Sequence, residues 1–231
     1  MMTMFDTLPP DFVWQVLGGI AVNLHIAVLA LIGGFALGIP LALAQTRPGV
    51  LARLARTLVA LMRAAPTFVV MFFLLNTIPS DVSVLGLHIA LSGALIVALS
   101  LLPYSAYYIA EAGLDALIQL RRNSPMTALL FLPNVGRAFF VLVMASSTAA
   151  AIGVREAIGI IVRQADRMPG RLGQFALFAF GILLFGIIFQ VGFALLTLLR
   201  RRLAGIAARR VPGKPVAPPE PIGTPVTPQG R

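Results

Sequence analysis

The sequence predicts an all-α, polytopic inner-membrane protein with about five transmembrane helices. Three observations carry this. Of 231 residues, 58% are hydrophobic and 11% charged, whereas soluble domains carry about a quarter charged residues. Several stretches long enough to cross a bilayer, about 20 residues at 1.5 Å each, are apolar and almost free of charge. The arginines cluster beside those stretches rather than along a groove interleaved with aromatics, which favours topology-setting charge over nucleic-acid binding.

Met1 to Gln15 has no Lys or Arg, carries Asp6 and Asp11, and contains Pro9-Pro10. It lacks the positive start of a cleavable signal, so residues 1–19 read as an interfacial segment with Trp14 at headgroup level. A transmembrane region then covers residues 20–203. Its first span, 20–44, is uncharged, with Asn23 and His25 near its start. Gly33, Gly34 and Gly38 would let a neighbouring helix approach closely, and Pro40 is expected to bend its far end. A short loop carries Arg47, Arg53 and Arg56 before the second span, 57–78, in which Arg63 can snorkel to the interface or pack on a loop. After a tight turn holding Asp81, the third span covers 85–109, with His88 near its start and Pro103 near its end. A polar loop runs from Glu111 to Arg137. The fourth span, 138–154, is rich in Ala, Ser and Thr and so reads as packed among helices. An amphipathic segment from Arg155 to Arg171 leads to the fifth span, 172–199, ended by Arg200-Arg201-Arg202. Residues 204–231 are Pro-rich and basic and should be disordered.

Counting basic residues by loop gives four (Arg47, Arg53, Arg56, Arg63), three (Arg121, Arg122, Arg137) and seven (after Leu199) on one side. The other side holds only Arg155, Arg163, Arg167 and Arg171, diluted by Glu156 and Asp166. Fourteen against four places the N-terminus outside and the C-terminus in the cytoplasm.

No catalytic constellation is apparent. There are no cysteines, and the two histidines sit alone in separate spans, where packing outranks metal binding. The only lysine is Lys214, so no phosphate-cradling glycine loop with its lysine exists. The chain is therefore read as not an enzyme, with no cofactor of its own. The spans also lack the buried carboxylates common in ion-coupled carriers, so uphill transport would draw energy from a partner. Polar groups placed near mid-membrane, as candidates for a solute path, are Asn76, Ser100, Ser146, Ser147 and Thr148. Each has an alternative fate, a hydrogen bond back to a carbonyl one turn earlier.

Five stretches, in order, resemble the permease subunits of binding-protein-dependent ABC importers, most closely the polar amino acid group. RAAPTFVVMFFLLNTIP from Arg63 resembles R-G-T-P-L-L-V-Q-L-F-F-L-Y-F-G-L-P. SAYYIAE at Ser105–Glu111 is similar to S-A-A-Y-L-A-E, LFLPNVGR at Leu130–Arg137 to V-I-L-P-Q-A-L-R, and SSTAAAIGV at Ser146–Val154 to T-S-L-A-S-V-I-G-V. The opening from Val16 fits the family's first span, with Asn23 where threonine is usual. The resemblance covers about Val16 to Leu203. It implies a multi-pass bacterial inner-membrane subunit, a homo- or heterodimeric pore with a second permease, a cytoplasmic ABC ATPase that binds the ATP, an external solute-binding protein, and membrane lipid around it, with no nucleic acid. The matched positions Arg63, Pro66, Tyr108, Glu111, Pro133, Asn134 and Arg137 would position loops and face the partner, with Glu111 paired to Arg122 or Arg137.

The sequence departs from the family where the ATPase docks. Glu111 to Leu130 is shorter than the family's loop, the E-A-A-x-x-x-G core is absent, and Ala145 replaces the usual acid. What remains is a stub with Leu114, Leu117, Ile118 and Leu120 followed by Arg121 and Arg122, which either docks or marks lost coupling. Three readings follow: an importer permease for a small polar solute, an accessory or regulatory subunit that pairs with another permease, or an unrelated carrier or membrane scaffold.

Overall fold

The computed structural model describes residues 8–77, 81–84, 87–90, 92–122, 128, 131–168 and 170–209. Among the described residues there are seven α-helices: α1 (Phe12–Gln45), α2 (Val50–Ala64), α3 (Thr67–Thr77), α4 (Gly93–Arg121), α5 (Phe131–Ser146), α6 (Ala157–Ala165) and α7 (Arg171–Arg209). A small antiparallel hairpin, β1 (Asp81–Val84) and β2 (Leu87–Ala90), precedes α4, with Val82 opposite Ile89 and Ser83 opposite His88. A 3-10 turn, Ser147–Ile152, continues α5. Four helices or helix runs are long and apolar enough to cross a membrane, five if the bent pair α2–α3 is one span.

The bundle is built on α1 against α4. Glycines along the seam leave little room for a side chain: on α1 a Cβ at Gly34 would overlap Ser105 and one at Gly38 would lie 2.7 Å from the Ala106 carbonyl oxygen and from Ile109, and on α4 one at Gly113 would lie 3.2 Å from Ala42. The contacts advance by four residues on both helices in the same direction, so α1 and α4 run parallel. Lipid supplies no hydrophobic drive between helices, and close backbone approach with dispersion contacts takes its place. Around this seam Ile26, Ala27, Ala30, Met71, Val97, Ala98, Leu101, Leu142 and Val143 form the main core.

Parallel packing dictates the chain path. After descending α1 the chain must climb back before α4 can descend beside it, and α2 with α3 makes that return. Arg63, at the end of α2, is still level with Glu111, whereas Met71 of α3 packs among Ile26, Ala27 and Leu101. α2 therefore lies along the arginine-rich end, and α3 climbs. Helix α5 starts beside Phe35 and ends where Ser146 meets Asn23, antiparallel to α1. Helix α7 descends again, from Phe180 against Phe12 to Leu196 against Gly136. The described chain thus traverses the bundle five times, with α1 beginning and α7 ending at opposite ends.

Several boundaries differ from the sequence reading. The second span is broken by 91° at Ala65, whose extended backbone (φ −69°, ψ 116°) is what the residue before Pro66 prefers. Helix α4 begins at Gly93, not Leu85, with the Ser92 hydroxyl accepting from the Leu95 N–H at 3.3 Å; His88 lies in β2, and Leu85 itself is outside the described residues. The loop expected from Glu111 is helical to Arg121, because LDALIQL consists largely of strong helix formers and the helix is already held against α1 at Gly113, which faces Ala42. Helix α5 starts at Phe131, seven residues before Ala138, with Pro133 in its first turn where no N–H is missed. Helix α7 passes Arg200-Arg201-Arg202 to Arg209, so the expected disordered tail overlaps its last residues; 210–231 lie outside the described residues, as do 1–7 of the expected interfacial segment.

Gly34→Val should lower the thermal midpoint of the purified protein by several degrees, for an overpacking cost of about 1–3 kcal/mol. Gly186→Ala, where an added Cβ meets nothing within 4 Å, should leave it within about 2 °C. An unchanged midpoint for Gly34→Val would contradict the close seam.

Candidate functional site

Two polar constellations sit at opposite ends of α1. At the arginine-rich end, the Ala65–Pro66 break stops α2 so that Arg63 reaches across to α4. Its Nη1 donates to Glu111 Oε1 at 3.2 Å, and both side chains are largely exposed. This corrects the expected pairing of Glu111 with Arg122 or Arg137. On the turn above, Tyr104, Tyr107 and Tyr108 form an aromatic ladder, with ring centroids 5.3 Å apart for Tyr104–Tyr107 and 6.2 Å for Tyr104–Tyr108. Below it, Arg121 and Arg122 end α4 fully in the open. Pro133, Asn134 and Arg137 are set apart from this pair: they line a groove of about 250 Å³ with Phe193, Leu196, Thr197 and Arg200 of α7.

The candidate solute-path residues mostly satisfy themselves. Asn76 Nδ2 donates to the Phe72 carbonyl at 2.7 Å, Ser100 Oγ to that of Val97 at 2.7 Å, and Thr148 Oγ1 to that of Ala145 at 2.8 Å. Ser147 is half-buried on an apolar groove beside Met144 and Phe185. Ser146 is different. Its hydroxyl donates to the Val143 carbonyl at 2.7 Å and accepts from Asn23 Nδ2 at 2.8 Å.

That bond opens the second constellation. Asn23, Ser146 and Glu156 are all fully buried. Asn23 Oδ1 accepts from the Ala157 N–H at 3.3 Å, so one side chain ties α1 to the end of α5 and the start of α6. Glu156 caps α6: Oε2 accepts from Ile158 N–H at 2.9 Å and Oε1 from Gly159 N–H. Gly19 permits the approach, since a Cβ there would lie 2.5 Å from the Ala157 nitrogen. Glu156 was read only as dilution of the loop's positive charge. The available signal was its place immediately before the apolar run AIGIIV, where an acidic side chain meets the N–H groups that open a helix. Among the described residues no three His, Asp or Glu side chains converge to hold a metal ion.

Burial raises the Glu156 carboxyl above its ordinary value, and the bonds from Ile158, Gly159 and Asn23, with the charge of Arg163, draw it back only in part. The folded state therefore holds this proton more tightly than the unfolded state. The group's stabilising share is complete below the ordinary carboxylate value and is lost as pH rises through the folded-state value. Accordingly, the thermal-midpoint advantage of wild type over Glu156→Gln, which forfeits part of a cap worth about 1 kcal/mol, should be largest near pH 4 and shrink toward neutrality. An advantage that grows with pH would overturn this placement of Glu156.

No protein-family model matches the sequence, and no curated protein matches it. The fold does match a solved structure described as the crystal structure of an amino acid ABC transporter with histidines. The TM-score is 0.60 over 83% of this chain and 95% of that chain, at 18% identity. At that identity the likeness is one of architecture: this multi-span helical chain is similar, nearly end to end, in fold to a chain of an amino acid ABC transporter.

Proposed function

We propose that this chain is the permease subunit of an ABC importer, forming the translocation path for a small polar solute of the amino acid class. The observation that carries the reading is the fold likeness, which takes in almost the whole of the other chain. The five stretches that resemble polar amino acid permeases support it independently. So does the charge pattern, which sets the N-terminus outside and the C-terminus in the cytoplasm of a bacterial inner membrane.

In this reading the Arg63–Glu111 end faces the cytoplasm. The broken α2–α3 pair and the end of α4 are held together there by an exposed ion pair, next to the open Arg121–Arg122 terminus. A cytoplasmic ABC ATPase, which binds the ATP, would press on this surface and move α2 and α4 as one body. Gly113, which meets Ala42 of α1, would pass that motion into the seam, with Leu117 beside it, Pro66 and Tyr108 fixing the clamp and Pro133, Asn134 and Arg137 the adjoining groove. A second permease would complete the pore and an external solute-binding protein would deliver to the opposite end. Ser100 and Ser146 are buried and committed to internal bonds, so the path would run past Asn76, Ser147 and Thr148.

A second reading has its own observation. Glu111 to Arg121 is a continuation of α4 and lacks the E-A-A-x-x-x-G core of the family's docking helix. An accessory or regulatory subunit, paired with a permease that keeps an intact docking loop, would show this feature. Affinity purification of the full chain from its host membrane separates the two. Co-purifying ATPase that is stimulated by solute with this chain as sole permease supports the importer; recovery only alongside another permease supports the accessory subunit.

An exposed ion pair contributes at most about 1 kcal/mol to folding. Glu111→Gln should therefore leave the thermal midpoint nearly unchanged while lowering solute-stimulated ATP hydrolysis by about 2- to 30-fold, the range of coupling changes of 0.5–2 kcal/mol. Undiminished stimulation would remove Glu111 from the coupling surface.

A further inference from the structure

Arg155, Arg163 and Arg167 stand at the end of the bundle where the charge rule leaves few basic residues, and transport as proposed makes no use of them. They share a groove of about 510 Å³ between the first turns of α1 and the face of α6, whose other walls are Phe12, Gln15, Gly18, Gly19, Val22, Ile160 and Gln164. Three arginines line it. The carboxylate beside them, Glu156, feels the charge of Arg163, but it is buried and has both oxygens occupied by the Ile158 and Gly159 N–H groups. Asp11 accepts from Gln15 at the rim at 2.8 Å, and Asp166 is exposed just past the end of α6. Arg163 Nη2 is buried and has no hydrogen-bond partner. Buried guanidinium donors are ordinarily paired, most strongly with an oxyanion.

Depth indicates the source of that oxyanion. Helix α1 has 34 residues, roughly 50 Å at 1.5 Å each, against a hydrocarbon layer of about 30 Å. About 10 Å at each end therefore stands among headgroups, which puts Phe12 to Gly18 in the headgroup layer. Trp14, 74% exposed, is suited to that layer, and exposed Val13, Leu17 and Val162 offer apolar surface for acyl chains beside it. The groove has the same two-part character, with arginines on and flanking α6 and the apolar side chains of Phe12, Val22 and Ile160 beside them.

The geometry points to a phospholipid site: the groove between α1 and α6 takes the phosphodiester headgroup of an anionic lipid, gripped by Arg155, Arg163 and Arg167, with Gly18 leaving room for the glycerol. Anionic headgroups are favoured over zwitterionic ones, because a headgroup amine would be repelled by the same guanidinium groups. The inference does not depend on the chain being a permease.

The test uses the full chain, delipidated in mild detergent and titrated with phosphatidylglycerol or phosphatidylcholine of identical acyl chains, with bound lipid counted by native mass spectrometry. Wild type should retain one phosphatidylglycerol at a concentration at least about fivefold lower than phosphatidylcholine. The triple variant Arg155→Gln, Arg163→Gln, Arg167→Gln should lose that preference. Gly18→Leu should lose it too, by filling the groove without touching a charge; an added Cβ at Gly18 meets nothing within 4 Å, so the fold should tolerate it. Thermal midpoints of both variants report whether they are folded. Preference kept by either folded variant overturns the site. Displacement of the lipid by inorganic phosphate at millimolar concentration, with no lipid preference remaining, would reassign the groove to a free anion and overturn the lipid source.

Discussion

The parallel contact of α1 with α4 is the constraint on which the other features depend. In a bilayer, two apolar helices gain nothing by hiding from lipid that is equally apolar. What holds them is how closely their backbones approach. Gly34, Gly38 and Ala42 on one helix, and Ser105, Ile109 and Gly113 on the other, supply that approach at a repeat of four residues. Because both helices run the same way, the chain between them must cross back. Because Pro66 breaks the helix that does so, α2 is left lying along the arginine-rich end beside α4. The Arg63–Glu111 pair is a consequence of that path. Its own energy is small, but it marks where the returning segment touches the descending helix, and a force applied there enters the central seam directly.

The opposite end is organised by polarity rather than by absence of side chain. Asn23, Ser146 and Glu156 are withdrawn from water, and each such group is costly unless its bonds are met internally. They are met across three elements, so α1, the end of α5 and the start of α6 are held in one arrangement. This knot positions α6, and the arginines of the groove lie on and around it: Arg155 just before its cap, Arg163 in its last turn and Arg167 just beyond its end. The buried polar cluster and the cationic groove are thus built on the same short helix.

Among the proposed importer features, the Arg63–Glu111 pair and the central seam lie on the same stretch of α4, since Gly113, which faces Ala42, follows Glu111 by two residues. The candidate solute-path residues are less available than the sequence suggested, since most of their hydroxyl and amide groups satisfy carbonyls of their own helix. The exposed face of α7 is largely apolar, including Ile182, Leu183, Ile187, Val191 and Leu195, with Gln190 and Thr197 as polar exceptions before Arg200, in keeping with a surface that meets lipid or another helical subunit rather than water.

The class of the fold was legible in the amino-acid sequence because spanning a bilayer is a matter of composition: long uncharged stretches identify themselves, and arginines beside them mark sides. The glycines of α1 were legible as a contact face for a similar local reason, since three small residues within two turns leave one side of a helix bare. Where the signal is amphipathic or depends on a remote partner, local reading failed. The second strand of the hairpin before α4, LHIA, is as apolar as the start of a span, so hydropathy placed it inside one. The stretch after Glu111 is polar enough to resemble a loop, yet its helix formers continue α4, which is already seated on α1 where Gly113 faces Ala42. Glu111 had two plausible arginines nearby in sequence and took a third, 48 residues away, and Glu156 became a buried cap rather than a surface charge. Composition determined that this chain crosses a membrane and in which pieces. Which helix meets which, and which charge is buried, was decided only by packing, because those contacts join residues whose neighbours in sequence carry no trace of one another.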